Sequence, residues 1–436
     1  MKQTSAPVHG MYRVNVREIW RWLTKQPASF WLINFYVFLE YVRPQTVWPV
    51  FDILPWAQLT IIATAAALII EGRLPQIRTQ AGLLLMVFSL VVILSSITAL
   101  RPAESFKGWE LYFSWVLVFL LITNIVTTER RFYILMLAFL LYSFKMSQHG
   151  FRTWAGRGFA FADWGVTGAP GWFHNSGEFG IQMCIFLPLA VEFIIAMRSY
   201  WNRLTRWFFY SFPITAVGGA IASTSRGAQL GVACLGLWWI ARSKHRGRSL
   251  IAVAAVMAIG WAVMPEEQKM RFTTAGSDNT SITRLERWEA GIEMALERPI
   301  LGIGYNNWSS YYGPLSHNIF IEALSELGFT GFTTFLLLIG STFALNWKTR
   351  ALLRKTPTET PFMYRMAYGL DGALIGYMVS GFFVTVLYYP YFWINLAMTV
   401  CLHVAARGAN TTWKRARHAD AIRAGGSTAT TAVPSY

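Results

Sequence analysis

The sequence has few charged residues. Asp, Glu, Lys and Arg make up only 14% of its 436 residues, whereas an ordinary soluble protein carries about a quarter. That is too little charge to cover the surface of a globular protein of this length. Apolar runs instead recur along almost the whole chain, separated by short basic stretches, and 54% of the residues are hydrophobic. The composition therefore predicts an all-α, polytopic bundle that spans a lipid bilayer.

Cysteine, acidic residues and nucleotide motifs are also scarce or missing. The three cysteines all lie inside apolar runs, which excludes a disulfide framework and zinc-type spacing. No Walker A loop and no dinucleotide fingerprint is present. The acidic residues are few and scattered in the predicted outer loops, so they suggest no metal-binding pair. We therefore expect chemistry without a metal, another cofactor or nucleotide hydrolysis.

The apolar runs predict about twelve transmembrane helices. With the N-terminus placed in the cytoplasm, 26 of the 38 Lys and Arg residues fall in cytoplasmic segments and 12 outside. This split predicts that both termini are cytoplasmic. The same split explains the net charge of +16 by membrane topology, so the charge does not imply binding of nucleic acid. The predicted spans are 28–42, 56–71, 82–100, 111–127, 131–146, 178–197, 207–222, 228–241, 249–264, 318–346, 366–388 and 390–406.

Residues 1–406 are thus predicted to form a single transmembrane domain. The segment 407–436 has few apolar residues and is predicted to be a disordered cytoplasmic tail. Two outer segments, 147–177 and 265–317, are too long to be simple connectors. Because both contain Trp, Phe, Arg and His, we interpret them as ordered and functional.

A polar motif, S-T-S-R-G at 223–227, lies where the seventh predicted span meets the eighth. An arginine beside a membrane span is costly unless it meets a partner or a water-filled cavity. Ser225 offers a hydroxyl beside Arg226, and Gly227 allows close approach of the backbone, so the motif suits an oxyanion such as a phosphate. The alternative is an interfacial arginine that reaches the lipid headgroups.

The segment 281–299 predicts an amphipathic helix in the second outer loop. Thr283 and Glu286 match a capping box, and Pro299 ends the pattern. One apolar face follows helical spacing and suits the membrane surface; it consists of Leu285, Trp288, Ile292 and Leu296.

Arg284 and Arg287 then fall in the first turn of that helix, where cations oppose the helix dipole. A bound anion would relieve the conflict, with help from free backbone N–H groups. The alternative is that both arginines pair with Glu286, Glu289 or lipid phosphates.

His317 and Asn318 precede the tenth predicted span, with Ser316 available as its N-cap. A histidine at a helix N-terminus feels a positive field, which favours the neutral imidazole that a general base requires. The alternative is a cap or surface residue. Polar residues inside a span usually face the bundle interior or a cavity; here they recur on one helix face as Asn318, Glu322, Ser325 and Glu326.

The order of these motifs resembles the O-antigen ligase and O-antigen polymerase family of bacterial membrane glycosyltransferases. The similarity runs from about residue 215 to 345. It rests on S-R-G at 225–227, R-x-x-x-W at 284–288, R-P-x-x-G-x-G at 298–304 and H-N-x-x-x-x-x-L-x-E-x-G at 317–328.

The resemblance implies a metal-independent, inverting enzyme of the bacterial inner membrane, working on its periplasmic face. It would transfer a glycan from undecaprenyl diphosphate to a lipid A–core sugar, as ligases do, or to another lipid-linked glycan, as polymerases do. Arg226 and Arg284 would bind the diphosphate, with Arg287 beside them. His317 would activate or orient the acceptor hydroxyl. Ser225, Gly227, Asn318, Glu322 and Glu326 would support the site.

The first outer loop would add binding of the glycan or of lipid headgroups, because aromatic residues that can stack on sugars surround its polar residues. Those polar residues are Arg152, Arg157, Asp163 and His174. Polymerase instead of ligase remains open within this class. A transporter or flippase of lipid-linked glycans is the alternative from another class, although the two halves show no hydropathy symmetry.

Overall fold

A computed structural model describes residues 9–161, 165–263, 265–266, 269–270, 279–354 and 361–426. The described residues form helices and no strands, which confirms the all-α class. The longer helices, numbered in chain order, are α1 Val16–Leu23, α2 Ala28–Tyr41, α3 Trp56–Ile70, α4 Gln80–Ile97, α5 Pro102–Ile125, α6 Glu129–Gly156, α7 Ser176–Met197, α8 Arg203–Ala222, α9 Arg226–Arg242, α10 Arg246–Val263, α11 Asn279–Glu297, α12 Ile319–Leu353, α13 Pro361–Gly381 and α14 Pro390–Gly426.

A helix accounts for most of each of the twelve apolar segments predicted to be spans, namely α2–α10 and α12–α14. Among the described residues, five are both long and apolar enough to cross a membrane by length and composition: α4, α5, α7, α12 and the part of α14 from Pro390 to Trp413. The chain is thus a helical membrane protein. The count of twelve spans and the periplasmic position of the long loops stay predictions.

Helix α7 lies at the centre of the bundle. It packs against α6, α8, α9 and α13, and 89% of the residues in its most apolar stretch are buried. Its contact with α13 is close because a Cβ on Gly376 would lie 2.6 Å from the carbonyl oxygen of Cys184. This packing fixes the start of α7, where the candidate site lies.

Buried ion pairs hold the opposite end of the bundle. Glu192 of α7 contacts Arg242 of α9 at 3.2 Å and Arg365 of α13 at 3.5 Å. Arg350 of α12 contacts Asp371 of α13 at 2.6 Å. A carboxylate buried in a bundle is costly without such a partner, so these pairs join four helices at the end away from the site.

Two helices end at positions other than the predicted span ends. Helix α6 continues to Gly156, ten residues beyond the predicted span, because Met146, Gly150 and Trp154 stay buried at four-residue spacing. Helix α13 ends at Gly381 rather than at 388. Residues 382–389 form a non-helical strap before Pro390 begins α14.

The end of the chain also differs from its prediction. Helix α14 extends to Gly426, so residues 407–426 have a helical backbone where a disordered tail was expected. Alanine, arginine and lysine, which are good helix formers, dominate this stretch. The rest of the predicted tail, 427–436, lies outside the described residues.

Candidate active site

Two helix N-termini meet at one cavity of about 520 Å³. Helix α7 begins after Asn175, whose side chain accepts from the N–H of Gly177 at 2.8 Å, while the Glu178 carboxylate accepts from the N–H of Asn175 at 3.1 Å. Helix α9 begins after Ser225, whose hydroxyl accepts from the N–H of Ala228 at 3.4 Å. The free N–H groups and dipoles of both helices make this an electropositive corner.

The polar motif before α9 takes a sharp turn. Thr224 has a φ of +54°, a left-handed conformation that is uncommon for a β-branched residue. The turn brings Arg226 into the first turn of α9, where its side chain lines the cavity. A Cβ on Gly180 would lie 2.6 Å from that of Ala228, so glycine at 180 lets α7 and α9 approach this closely.

Arg284 and His317 line the same cavity as Arg226. Residues from five parts of the chain therefore meet here: the starts of α7 and α9, helix α11, the segment that precedes α12, and the strap 382–389. A second cavity of about 340 Å³ shares Arg284 and His317 and adds Thr283 and Arg287. Arg284 and His317 thus stand between the two spaces.

Hydrogen bonds on both sides fix the backbone at His317. Trp288 of α11 donates its Nε1–H to the carbonyl of Ser316 at 3.1 Å, and Arg287 donates to the carbonyl of Leu315 at 3.1 Å. The N–H of His317 donates to Thr385 Oγ1 at 2.8 Å. His317 itself has a φ of +51°. The imidazole is therefore held over the cavity by α11 on one side and the strap 382–389 on the other.

The surroundings of His317 favour its neutral form. Burial, and then the positive charges of Arg284 and Arg287, lower the pKa of the imidazole from 6.5 to about 4. The predicted direction was right. The predicted cause was the field at the start of α12, whereas desolvation and the two guanidinium groups are the causes here.

The buried carboxylates of α12 bind backbone groups around the cavity. Glu326 accepts from the N–H groups of Asn306 and Trp308, each at 2.9 Å, and from the hydroxyl of Tyr388 at 2.9 Å. Glu322 accepts from the N–H of Leu387 at 3.3 Å. Both glutamates thus anchor the strap 382–389, and Glu326 also anchors the loop after residue 304.

Two of the predicted motifs interlock through their backbones. The carbonyl of Ser325 accepts from the N–H of Ile303 at 2.9 Å, and that of Pro299 accepts from Phe329 at 2.8 Å. Gly328 interrupts α12 with a φ of +64°, and a Cβ there would lie 2.7 Å from the carbonyl oxygen of Ile300. The glycines of R-P-x-x-G-x-G and L-x-E-x-G therefore serve backbone docking, which we call the backbone clasp.

The local caps of α11 and α12 differ from their predictions. Helix α11 begins at Asn279, and the Thr283 hydroxyl donates to the carbonyl of Asn279 within the helix, so the capping box was wrong. Arg284 and Arg287 consequently lie beyond the first turn. Asn318, rather than Ser316, caps α12, because its side chain accepts from Phe320 and Ile321 at 2.8 and 3.2 Å.

The structure brings only some of the predicted site residues together. Arg226, Arg284 and His317 share the main cavity, along with the supporting pair Ser225 and Gly227. The other predicted site residues lie elsewhere. Arg287 lines the second cavity, and Asn318, Glu322 and Glu326 lie behind His317. The side chain of His174 is 62% exposed beside Glu178, and Arg152 and Arg157 are exposed near the end of α6. Asp163 lies outside the described residues.

Sequence reasoning missed the contributions of α7 and the strap. Asn175 with Glu178 three residues on is a capping signature that was available in the sequence. Val384 and Thr385 also line the cavity, yet they lie in an apolar stretch that reads as a span. No local pattern distinguishes Thr385 from a core threonine.

The comparisons with known proteins include a part of the chain that lines this cavity. Residues 212–336 match the family model described as O-antigen ligase. The chain is 23% identical over 192 residues to the exopolysaccharide production protein ExoQ of Rhizobium meliloti (strain 1021), a match that covers 39% of this chain and 44% of that relative. It thus spans less than half the length of the relative. Residues 212–336 of this chain are thus similar to the O-antigen ligase family.

Proposed function

We propose that this protein is a membrane glycosyltransferase that moves a glycan from undecaprenyl diphosphate to an acceptor sugar. The observation that carries the proposal is the meeting of Arg226, Arg284 and His317 in one cavity with two helix N-termini. The similarity of residues 212–336 to the O-antigen ligase family supports the same reaction class. The enzyme would lie in the bacterial inner membrane with the cavity at its periplasmic end.

The cationic side of the cavity would bind the diphosphate of the donor. Guanidinium groups form bidentate hydrogen bonds to phosphate oxygens, and helix N-termini add backbone donors. Negative charge develops on the leaving diphosphate as the sugar–oxygen bond breaks. Arg226 and Arg284, held in place before the reaction, therefore stabilise the transition state more than the ground state.

His317 would act on the acceptor hydroxyl. The acceptor oxygen forms a bond to the anomeric carbon, the bond from that carbon to the diphosphate oxygen breaks, and the hydroxyl proton passes to the neutral imidazole. Attack opposite the leaving group inverts the anomeric centre. A bound diphosphate raises the pKa of His317 from about 4, because the anion offsets the neighbouring guanidinium groups, and a more basic ring accepts the proton more readily.

Purified variants test these roles when transfer and donor binding are measured together. We expect Arg226→Ala to lose donor binding and transfer. His317→Ala should keep donor binding and lose about 10²–10⁴-fold in rate. Arg203→Ala, an exposed arginine at the other end of α8, is the matched control. Near-normal turnover in His317→Ala would exclude it as the base, and full activity in Arg226→Ala would leave that arginine a lipid anchor.

The acceptor separates two versions of the reaction. A ligase would use a lipid A–core sugar. A polymerase would use a second lipid-linked glycan, and the name of the relative, an exopolysaccharide production protein, favours this version. The glycan phenotype of a deletion strain distinguishes them. Loss of every glycan cap on the core indicates a ligase, whereas caps of a single repeat unit, or loss of secreted polymer alone, indicate a polymerase.

A further inference from the structure

A buried carboxylate lines the otherwise cationic cavity. Glu178, in the first turn of α7, borders the same space as Arg226 and Arg284, and only 6% of its surface is exposed. A carboxylate that is shielded from water repels a bound phosphate more strongly than an exposed one does. Glu178 therefore weakens the binding of anions in a cavity whose other features strengthen it, and tight binding of the donor does not explain its charge.

The surroundings of Glu178 stabilise its ionised form. Its Oε2 accepts from the N–H of Asn175 at 3.1 Å and lies 3.2 Å from Nδ1 of His174. That nitrogen also contacts the carbonyl of Gly171. Because both of its neighbours are acceptors, Nδ1 carries a proton. The hydroxyl of Tyr389, in the strap 382–389, hydrogen-bonds to the carboxylate as well. These donors and the dipole of α7 favour a negative charge at this position.

The reaction proposed above changes the charge of the ligand in this cavity. The donor is a diphosphate diester with one negative charge on each phosphate. When the bond from the anomeric carbon breaks, the diphosphate oxygen keeps the electron pair, and the proton of the acceptor hydroxyl passes to His317 and then to water. The terminal phosphate of the product gains about one further negative charge at pH 7, because the second pKa of a phosphate monoester is about 6. Arginines and helix N-termini alone would therefore bind the product more tightly than the donor.

We propose that Glu178 discriminates against the product, undecaprenyl diphosphate, and so promotes its release. This inference rests on the proposed function. The carboxylate repels each phosphate charge in the cavity, so the more negative product loses more affinity than the donor does. At a separation of roughly 8 Å and an effective dielectric constant of about 40, each unit of charge changes the affinity about fivefold.

Glu178→Gln separates this role from helix capping. Glutamine can replace glutamate in a capping box, so the variant keeps the start of α7 and loses the charge. Equilibrium binding is measured without acceptor, so that no transfer occurs. We expect the donor and undecaprenyl diphosphate both to bind more tightly, and the ratio of their Kd values to shift about fivefold in favour of the product. Glu293→Gln, which removes the same charge from an exposed position of α11, is the matched control and should leave this ratio unchanged.

Other roles of Glu178 give different results in the same experiment. A residue that only caps α7 would leave both Kd values as they are in the wild type. A residue that binds a hydroxyl of the donor sugar would raise the Kd of the donor alone when its charge is removed. Either result, or equal tightening of donor and product, would overturn the proposal.

A variant of opposite sign keeps the test open if Glu178→Gln does not accumulate. Ser176 also lines the cavity, and an acidic residue suits the first turn of a helix. We expect Ser176→Asp to weaken binding of the product about fivefold more than that of the donor, and equal weakening would overturn the proposal. Discrimination without transfer to any acceptor would refute the proposed function and leave the role of Glu178 intact, whereas transfer without discrimination would refute the role of Glu178 alone.

Discussion

Thr385 offers a sharp test of how the strap 382–389 positions His317. Its Oγ1 accepts the N–H of His317 at 2.8 Å and lies 3.4 Å from the hydroxyl of Ser316. Thr385→Val keeps the shape of the side chain but removes the acceptor. A part-buried N–H left without a partner costs roughly 1–3 kcal/mol, and the left-handed backbone of His317, itself a strain of order 1–3 kcal/mol, would then have less to hold it.

The size of the effect follows from where that cost falls. If about 1–2 kcal/mol of this cost destabilises the catalytically productive conformation of His317, kcat drops roughly 5–30-fold. The KM for the donor should stay close to its wild-type value, because Arg226 and Arg284 are unchanged. Steady-state transfer by the purified variant, with donor concentration varied, measures both quantities.

Two matched variants separate positioning from general damage. Thr385→Ser restores the acceptor and should recover most of the lost rate. Thr342→Val removes a buried hydroxyl that donates only within its own helix, to the carbonyl of Leu338 at 2.8 Å, and should leave kcat unchanged. A Thr385→Val enzyme within twofold of wild type, or a Thr385→Ser enzyme as slow as Thr385→Val, would refute the positioning argument.

The remaining predictions concern charge, pH, packing and topology. Arg284→Lys should recover little of the activity that Arg284→Ala loses, because an ammonium lacks the bidentate fork; equal activity of the Lys and wild-type proteins in a transfer assay would contradict this. Since transfer needs neutral His317, the donor kcat/KM should stay level from pH 8 to about pH 5 and fall as the pH drops through about 4; a fall centred near 6.5, the ordinary histidine value, would contradict the lowered pKa. Gly328→Ala should lower the thermal midpoint and the yield of folded protein, because a Cβ would meet the carbonyl of Ile300 at a positive φ; an unchanged midpoint would mean that the backbone clasp yields at little cost. A reporter fused after Gly304 should lie outside and one after Arg354 in the cytoplasm, and the same compartment for both would refute the twelve-span topology.

The helices over the apolar segments and the basic side chains of the cavity were predictable from the sequence. Long apolar runs indicate helices, and a helix accounts for most of each predicted run. Arg226, Arg284 and His317 were predictable as site residues because charged and imidazole side chains are rare in so apolar a sequence. The reasoning from helix caps was less successful. Thr283 matched a capping pattern, but a helix can begin earlier when preceding residues such as Asn279 are compatible with it.

The strap could not be predicted because its signal is tertiary. Residues 382–389 are aromatic or β-branched with few exceptions, so hydropathy continues the span through them. The non-helical strap is held by acceptors from α12, where Glu322 accepts from the N–H of Leu387 and Glu326 accepts from the hydroxyl of Tyr388. Those partners lie more than sixty residues away along the chain, beyond the reach of any local pattern.

The separation of His317 and Thr385 along the chain has a consequence for biogenesis. The two residues are 68 positions apart, which corresponds to roughly 3–14 s of synthesis at ordinary translation rates of 5–20 residues per second. During that interval the backbone clasp can already join the segment after α11 to the first part of α12. The N–H of His317 has no access to its acceptor, Thr385 Oγ1, until that residue has been synthesised. A ribosome-bound or truncated chain that ends before Thr385 therefore lacks both this acceptor and α14, so we expect the backbone at His317 to take its final position only after the strap between α13 and α14 has been made.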